Sequence, residues 1–353
     1  MPEPWMLTGR ARGVVVGAVL AGSWRSSPPP LSISPEALAD VAPLLMRTGA
    51  GGLAWWKLRH AGCARSSLAR DLRATFRLQT LQARLHERRI TAAVGALRSA
   101  GIEPVLAKGW AAARLYPAPG LRPYGDVDLW VGPGQLARAA AALRAARAER
   151  SRVDLHDTVP LPGRSWDDVY ERSRLVPLGG DAVRVPGAED HLALLSVHML
   201  GHGLWRPVWL CDVAAAIESL PANFDWQRCL GPEECRAGWI GGAVRLARQL
   251  LDARGGEDVD APQPRWLAEA VLRQWARDAH YMTTPSIAFA LRRPARLATA
   301  LRLRWPNAIQ ATVELERPFD DRPRLPLQLG DCLWRAATAA RRWPRPRTAP
   351  CAK

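Results

Sequence analysis

The sequence predicts an α+β protein in which a small α/β core, residues 100 to 187, lies between two helical regions. Apolar residues recur at helical spacing before residue 99, and the same spacing returns from residue 188. Between these regions, short apolar runs alternate with helical segments, a pattern typical of an α/β unit. The 353 residues, of which 48% are hydrophobic, suffice for one large domain or for two to three small ones.

The N-terminal part of the chain divides at a proline-serine stretch. Residues 1 to 34 end in SSPPPLSIS, which cannot continue a helix, and they are predicted to form a weakly ordered lead-in. A helical region, residues 35 to 99, follows, with Ser34 as N-cap and Pro35 at the first helical position. Residues 66 to 99 carry apolar side chains among arginines and glutamines, which predicts one long amphipathic helix or a pair of helices.

The core is predicted to contain three strands, two helices and a hairpin. IEPVLAKG, DVDLWV and SRVDLHDTV read as strands, and WAAARLY and GPGQLARAAAALRAARAE read as the helices between them. SRLVPLGGDAVRVP predicts a hairpin with its turn at GGD. Residues 188 to 340 are predicted to form a C-terminal helical domain, and residues 341 to 353 a basic, disordered tail.

The charge of the chain allows two interpretations. A formal net charge of +16 suits a polyanionic partner such as nucleic acid, or phosphate-bearing substrates in a positive cleft. Only three of the 49 basic residues are lysine, which leaves 46 arginines and indicates a coding sequence rich in G and C. Composition alone therefore accounts for the charge equally well.

The termini and the cysteines favour a cytoplasmic protein. The longest apolar run near the start, VVVGAVLAG, is well short of the roughly 20 residues that a membrane-spanning helix needs. The first residues, MPEPWMLTGRARG, lack the layout of a signal peptide. The six cysteines form no C-x-x-C pair, so neither a zinc ribbon nor a disulfide framework is indicated.

Two aspartates in DVDLWV indicate a divalent-cation site. Side chains alternate along a strand, so Asp126 and Asp128 lie on one face. Neighbouring carboxylates repel one another unless a cation lies between them, and Mg²⁺ prefers such oxygen ligands. Asp154, one strand-helix-strand unit downstream, is predicted to add a third carboxylate from a neighbouring strand and to take the proton of an attacking hydroxyl.

Basic residues upstream indicate a phosphate-binding function. Lys108 and Gly109 stand where a strand ends and a helix begins, where glycine permits close approach of an anion and helix N–H groups favour negative charge. Arg122 precedes the aspartates by four residues. It either clamps a polyphosphate or has a structural role beside the carboxylates, and the sequence leaves both open.

The sequence favours structural roles for three histidines, and each of them also has a possible functional role. His156 shares the predicted face of Asp154 and either orients a substrate or makes a structural hydrogen bond. His198 and His202 are four residues apart, a spacing able to bind zinc, but the glutamate of H-E-x-x-H is missing. A hydrogen bond from these two to Asp212 on the next helix is predicted instead.

The motifs K-G, R-P-x-G-D-x-D-L-x-V and a downstream D-L-H resemble an uncharacterised nucleotidyltransferase family of the DNA polymerase beta superfamily. The resemblance runs over roughly residues 45 to 340, and residues 105 to 156 carry its specific motifs. It implies a minimal nucleotidyltransferase core, Mg²⁺ dependence, and transfer of a nucleoside monophosphate from an NTP with release of pyrophosphate.

This sequence departs from the superfamily pattern at two places. Lys108 and Gly109 replace the usual Gly-Ser phosphate-binding pair, as is typical of this branch and of abortive-infection-type toxins. Trp130 replaces a usual aliphatic residue.

The function predicted from the sequence is Mg²⁺-dependent nucleotidyl transfer to an acceptor hydroxyl. The acceptor is an RNA, a protein or a small molecule, and neither it nor the oligomeric state follows from the sequence. Two alternatives remain open. One is a toxin-like enzyme that modifies RNA ends, and the other is a non-catalytic nucleotide-binding accessory protein of a peptide natural-product pathway.

Overall fold

The computed structural model describes residues 9–59, 64–147, 153–161, 163–259, 261, 264–277 and 304–342. Fourteen helices and five strands are delimited within these residues. The predicted fold class is confirmed: a mixed α+β protein in which N-terminal and C-terminal helices flank a five-stranded sheet.

Four helices precede the sheet: α1 (Gly9–Leu20), α2 (Pro35–Arg47), α3 (Gly51–Leu58) and α4 (Ser67–Ser99). Helix α2 begins as predicted, because the side chain of Ser34 accepts a hydrogen bond from the backbone N–H of Ala37 at 3.2 Å. Helix α4 is continuous over 33 residues. The amphipathic pattern from residue 66 to 99 therefore belongs to one helix.

Helix α1 shows that the predicted weakly ordered lead-in is wrong for residues 9 to 20. Val19 and Leu20 are fully buried, and α1 packs against α12 (Arg265–Trp275). Gly13 permits this packing, since a Cβ there would overlap the backbone of Leu272. The proline-serine stretch only separates α1 from α2, and the partner that orders α1 lies far away in sequence.

Lys57, one of the three lysines, anchors the end of α1. Its Nζ donates hydrogen bonds to the backbone carbonyls of Ala18 at 2.9 Å and Ala21 at 2.6 Å. A helix C-terminus has unpaired carbonyls and a partial negative charge, both of which favour an ammonium group. Burial lowers the pKa of Lys57 to about 8.

The strands lie in the order β3-β2-β1-β5-β4. The strands are β1 (Val105–Ala107), β2 (Val127–Trp130), β3 (Val153–His156), β4 (Arg174–Leu178) and β5 (Asp181–Val185). Strand β1 pairs antiparallel with β2 and parallel with β5, and β2 pairs parallel with β3. The antiparallel pair β4–β5 is the hairpin that the GGD turn indicated.

Three helices belong to the core. Helices α5 (Gly109–Ala113) and α6 (Leu136–Ala145) follow β1 and β2 as predicted. Helix α7 (Trp166–Arg172) was not predicted from the sequence. Its signal was nevertheless present, because Ser165 caps the helix by accepting from the N–H of Asp168, and two aspartates follow in the first turn.

The helices after the sheet begin with α8, directly behind β5. Besides α12 they are α8 (Ala188–Gly201), α9 (Pro207–Glu218), α10 (Trp226–Leu230), α11 (Glu234–Leu251), α13 (Ala308–Glu314) and α14 (Leu325–Arg342). Residues 343 to 353 of the predicted tail lie outside the described residues. No described helix has both the length and the apolar character needed to cross a membrane.

The two faces of the sheet pack into different hydrophobic clusters. Leu106 and Leu129 belong to a cluster formed with α4 and α6. Val105, Ala107 and Trp130 belong to a second cluster, which includes apolar residues of α8 and α9. Side chains alternate along β2, so Asp128 shares the face of Trp130, which is turned toward the C-terminal helices.

Candidate active site

The register of β2 and β3 brings two of the predicted carboxylates side by side. Asp128 pairs with Asp154, and Trp130 pairs with His156. Residues paired directly on parallel strands project to the same face of a sheet. The structure therefore places Asp128, Asp154 and His156 on the face predicted for the site. On the other side of Asp128, its partner on β1 is Ala107, whose small side chain leaves the carboxylate space.

The three carboxylates differ in exposure. Asp128 is 5% exposed, whereas Asp154 and Asp126 are exposed, and Asp126 lies just before the first residue of β2. Among the residues that the structure describes, no three His, Cys, Asp or Glu side chains are close enough to form a metal-binding group. The chemistry and register of Asp128 and Asp154 fit a divalent cation, and Asp126 is at the entry to the same strand.

Lys108 lies directly at this site. Its Nζ is 3.0 Å from Oδ1 of Asp128, and Nε2 of His156 is 3.5 Å from the same oxygen. The backbone of Lys108 has φ 49° and ψ −125°, a region that residues with a Cβ rarely adopt. Such conformations cost about 1–3 kcal/mol and concentrate at functional sites. The strained junction of β1 and α5 thus directs the ammonium group toward Asp128.

Gly109 allows α5 to begin close to the loop that enters β2. A Cβ at this position would be 3.3 Å from the carbonyl oxygen of Asp126 and 3.6 Å from the side chain of Tyr124. The close approach observed here is therefore to the backbone of Asp126. Helix α5 has only five residues, so its dipole contributes less to anion binding than the sequence suggested.

Arg122 forms a buried ion pair with Asp212 of α9. Its Nε and Nη2 donate to the carboxylate at 2.8 to 3.1 Å, and the hydroxyl of Tyr116 donates to the same carboxylate at 2.8 Å. Burial opposes the charged guanidinium, but the carboxylate of Asp212 raises the pKa of Arg122 overall. The side chains of Arg122 and Asp212 are 7% and 1% exposed. Two of the three guanidinium nitrogens are used by Asp212 and the side chain is nearly inaccessible, so the geometry favours the structural alternative.

Histidines and tryptophans form a cluster beside Lys108. The rings of His198 and His202 are 4.6 Å apart, and both lie 5.3 to 5.4 Å from the ring of Trp209. The predicted hydrogen bond from these histidines to Asp212 is wrong, because in the described part of the chain that carboxylate pairs with Arg122 and Tyr116. Sequence spacing placed Asp212 near these histidines but could not choose between competing donors.

Burial and nearby cationic groups lower the pKa of both histidines. Burial lowers the pKa of His198 to about 3, and the neighbouring imidazole of His202 and the ammonium group of Lys108 act in the same direction. Burial and Lys108 also lower the pKa of His202. The charge of Lys108 thus opposes protonation of both rings at the C-terminal end of α8.

Two residues of this site escaped the sequence reasoning. Tyr116, in the LYP segment, was not assigned a role, and Arg206 lies over the rings of Trp205 and Trp209 at 5.6 and 5.5 Å. A signal existed for the ion pair, because Asp212 interrupts the apolar run VWLCDVAAAI. A carboxylate in a buried helix requires a charged or hydrogen-bonding partner.

Acid is expected to destabilise the fold through its buried histidines. Burial lowers the pKa of His191 to about 3 in the folded chain, against about 6.5 when unfolded. The unfolded state therefore binds a proton that the folded state does not, and stability present above pH 6.5 is lost as the pH falls toward 3. We expect His191 to contribute a slope of up to about 1.4 kcal/mol per pH unit to the free energy of unfolding.

Urea denaturation at closely spaced pH values between 6.5 and 5 measures this slope. Carboxylates contribute less in this range than below pH 5. The variant His191→Gln should show a shallower dependence on pH, and the same slope in both proteins would contradict the assignment.

Together these features define a class: an α+β protein with paired carboxylates and a lysine on one face of a mixed sheet, between two helical regions. Comparison with protein families matches residues 35–253 to the family described as "Uncharacterised nucleotidyltransferase". The match covers more than half of the chain, and the protein belongs to this family. A search of curated proteins found no match, and neither did a search of solved structures.

The family match includes the whole sheet, with Lys108, Asp128 and Asp154, and helices α8 and α9. It begins earlier than the resemblance noted in the sequence, and residues 254 to 340 lie beyond it. Membership supports nucleotidyl transfer as the general activity and an NTP as the substrate.

Proposed function

We propose that the protein transfers a nucleoside monophosphate from an NTP to an acceptor hydroxyl in a Mg²⁺-dependent reaction. The observation that carries this proposal is the pairing of Asp128 with Asp154 beside the Nζ of Lys108. Family membership supports the reaction type.

Asp126, Asp128 and Asp154 are the residues that would hold Mg²⁺. When bound, the cation supplies charge neutralisation for the phosphate oxygens. The ammonium group of Lys108 now neutralises Asp128 at 3.0 Å. This contact supports the assignment, because a cationic group already lies against the carboxylate of Asp128.

The remaining steps belong to the side chains of this site. Asp154 is exposed on its strand and takes the proton from the acceptor hydroxyl. The hydroxyl oxygen bonds to the α-phosphorus, the bond from that phosphorus to the bridging oxygen breaks, and pyrophosphate leaves with the electron pair. Lys108 exchanges its contact with Asp128 for a phosphate oxygen, and Gly109 keeps α5 close to the loop of Asp126.

Arg122 acts in this proposal as a positioning residue. Its ion pair with Asp212 ties the segment that enters β2 to helix α9. The negative charge of Asp126, four residues along the chain, also favours the charged form of Arg122 and raises its pKa. The ion pair therefore supports the position of the loop that carries the first carboxylate.

Transfer of label from an NTP tests the proposal. The purified protein is incubated with Mg²⁺, cell extract and each of the four NTPs labelled at the α-phosphate. We expect one acceptor fraction to become labelled and pyrophosphate to be released. Nuclease or protease treatment of the product then shows whether the acceptor is RNA, protein or a small molecule.

The control reactions contain EDTA or the variant Asp128→Asn, and both should give no label. RNA as the acceptor would favour the RNA-end-modifying alternative, which the net charge of +16 suits. Nucleotide binding without any turnover would overturn the proposed reaction in favour of a non-catalytic accessory protein.

The cytoplasmic location of the protein stays a prediction, which fractionation of cells that produce the protein would test.

A further inference from the structure

A cavity of about 190 Å³ lies away from the carboxylates, between the end of α5, strand β4, the start of α8 and the end of α9. Its wall includes Arg114, Arg174 and His191, and none of the residues that line it is acidic. Arg114 is the C-cap residue of α5, whose N-cap residue is Lys108. The cavity and the candidate active site thus lie at opposite ends of this short helix.

Arg114 and Arg174 line this cavity, and both are exposed to solvent. Within the described ranges of the chain, no carboxylate forms an ion pair with Arg114 or Arg174. Burial lowers the pKa of Arg114, and the positive charge of Arg174 lowers it further. Two arginines in the wall of one cavity, with no acidic residue among the lining residues, create a local excess of positive charge.

His191 adds an unused hydrogen-bonding atom. The residue is 7% exposed, and its Nε2 is buried with no hydrogen-bond partner in the structure. Buried polar side-chain atoms almost always have a partner, so this nitrogen in the cavity wall has a hydrogen-bonding capacity that a ligand can use. Neutral imidazole can donate a hydrogen bond through this nitrogen.

The start of α8 adds backbone N–H groups. Glu189 and Asp190 in the same turn oppose an anion there, and Asp190 is paired with Arg164 and Arg228. This helix has 14 residues, and its N-cap, Gly187, has no side chain to accept hydrogen bonds from the first-turn N–H groups. Ala188, its first residue, lines the cavity. A helix N-terminus favours an anion through these N–H groups and the helix dipole.

We propose that this cavity is a phosphate-binding site that takes free phosphate or the phosphate group of a small phosphate monoester. Arginine guanidinium groups match phosphate oxygens in geometry and charge. The volume is below the roughly 300–1,000 Å³ of pockets that enclose a drug-sized ligand, so a phosphate group fits where a whole nucleotide does not. This site goes beyond the proposed function, and its occupancy does not require an NTP.

Isothermal titration of the full chain with inorganic phosphate, and separately with ribose 5-phosphate, tests the proposal in EDTA and without NTP. We expect saturable binding of at least one ligand at a single site. Binding of both assigns a site open to monoesters, and binding of inorganic phosphate alone assigns a site for free phosphate. Each of Arg114→Gln and Arg174→Gln should weaken binding by about tenfold, since a charge-assisted hydrogen bond is lost.

Variants elsewhere separate this site from the active site and from general charge effects. Arg144→Gln removes one exposed arginine of α6, outside the cavity wall, and should leave phosphate affinity unchanged. Asp128→Asn should retain phosphate binding even though it lacks transfer activity. If His191→Gln folds, its affinity for phosphate measures the contribution of the Nε2 atom. If it does not fold, the two arginine variants alone test the site.

Absence of saturable binding would overturn the proposal. Equal weakening by Arg144→Gln and by the cavity variants would also overturn it, because this would indicate diffuse attraction to a basic surface. Loss of phosphate binding in Asp128→Asn would place the phosphate at the active site. Failure of the label-transfer experiment leaves these outcomes unaffected, so the two proposals fail separately.

Discussion

Replacement of Asp128 by asparagine is expected to reduce nucleotidyl transfer by about 10³-fold or more while the fold is retained. Asparagine keeps the size of the side chain but removes the negative charge beside Asp154 and Lys108. Charge stabilisation at such a site contributes several kcal/mol to the transition state, and about 4 kcal/mol corresponds to this factor. Rates of label transfer in the wild-type protein and the variant measure the effect.

A matched control is available on the same sheet. Asp181 is an exposed aspartate at the start of β5, and Asp181→Asn should leave the rate unchanged. Circular dichroism and urea denaturation show whether both variants are folded. Full activity of a folded Asp128→Asn variant would eliminate the proposed carboxylate site, whereas equal losses in both variants would indicate a general effect of charge.

The largest effect on stability is expected from Asp212→Ala. Both members of its ion pair with Arg122 are nearly inaccessible to solvent, so the variant leaves a buried guanidinium without a counter-charge and the hydroxyl of Tyr116 without its acceptor. Removal of one partner of a buried ion pair typically costs about 3–5 kcal/mol. The free energy of unfolding in urea at pH 7 should fall by this amount.

The double variant Arg122→Met, Asp212→Leu distinguishes the pair from simple loss of packing. It removes both charges together, so it should be more stable than Asp212→Ala alone. As a surface control, Glu87→Gln breaks the ion pair that Arg84 makes within α4, and it should change stability little. Equal stability of the wild-type protein and Asp212→Ala would refute the structural role assigned to Arg122.

The prediction for Asp128 rests on two kinds of information, the spacing of residues along a strand and the pairing between strands. The spacing of Asp126 and Asp128 along a strand, together with a third carboxylate one unit downstream, was readable from the sequence. Side-chain alternation is a local property of the strand, so it survives without knowledge of the fold. The register of β2 against β3 was not readable, because it depends on which strands pair and on how they are buried.

The helices also differ in whether a local sequence signal was enough to predict them. Helix α2 followed from Ser34 and Pro35, whose capping and N1 preferences act within the first turn. Helix α1 did not follow, because its apolar residues are ordered by α12, more than 240 residues away in sequence. Helix α7 had a local signal in Ser165 and the acidic first turn, so it was predictable in principle.

The sequence by itself determined the α+β class, the succession of the core strands along the chain, the likeness to a nucleotidyltransferase family, and the residue types of the candidate site. These follow from periodicity, turn residues and motif spacing, which act over a few residues at a time. Only the tertiary structure decided that Lys108 contacts Asp128 and that Arg122 pairs with Asp212. It also decided that Arg114 and Arg174 line one cavity, whose wall contains no acidic residue. The physical reason is that partners of buried charges are chosen by the packing of distant segments, since desolvation penalises any charge that packing leaves unpaired.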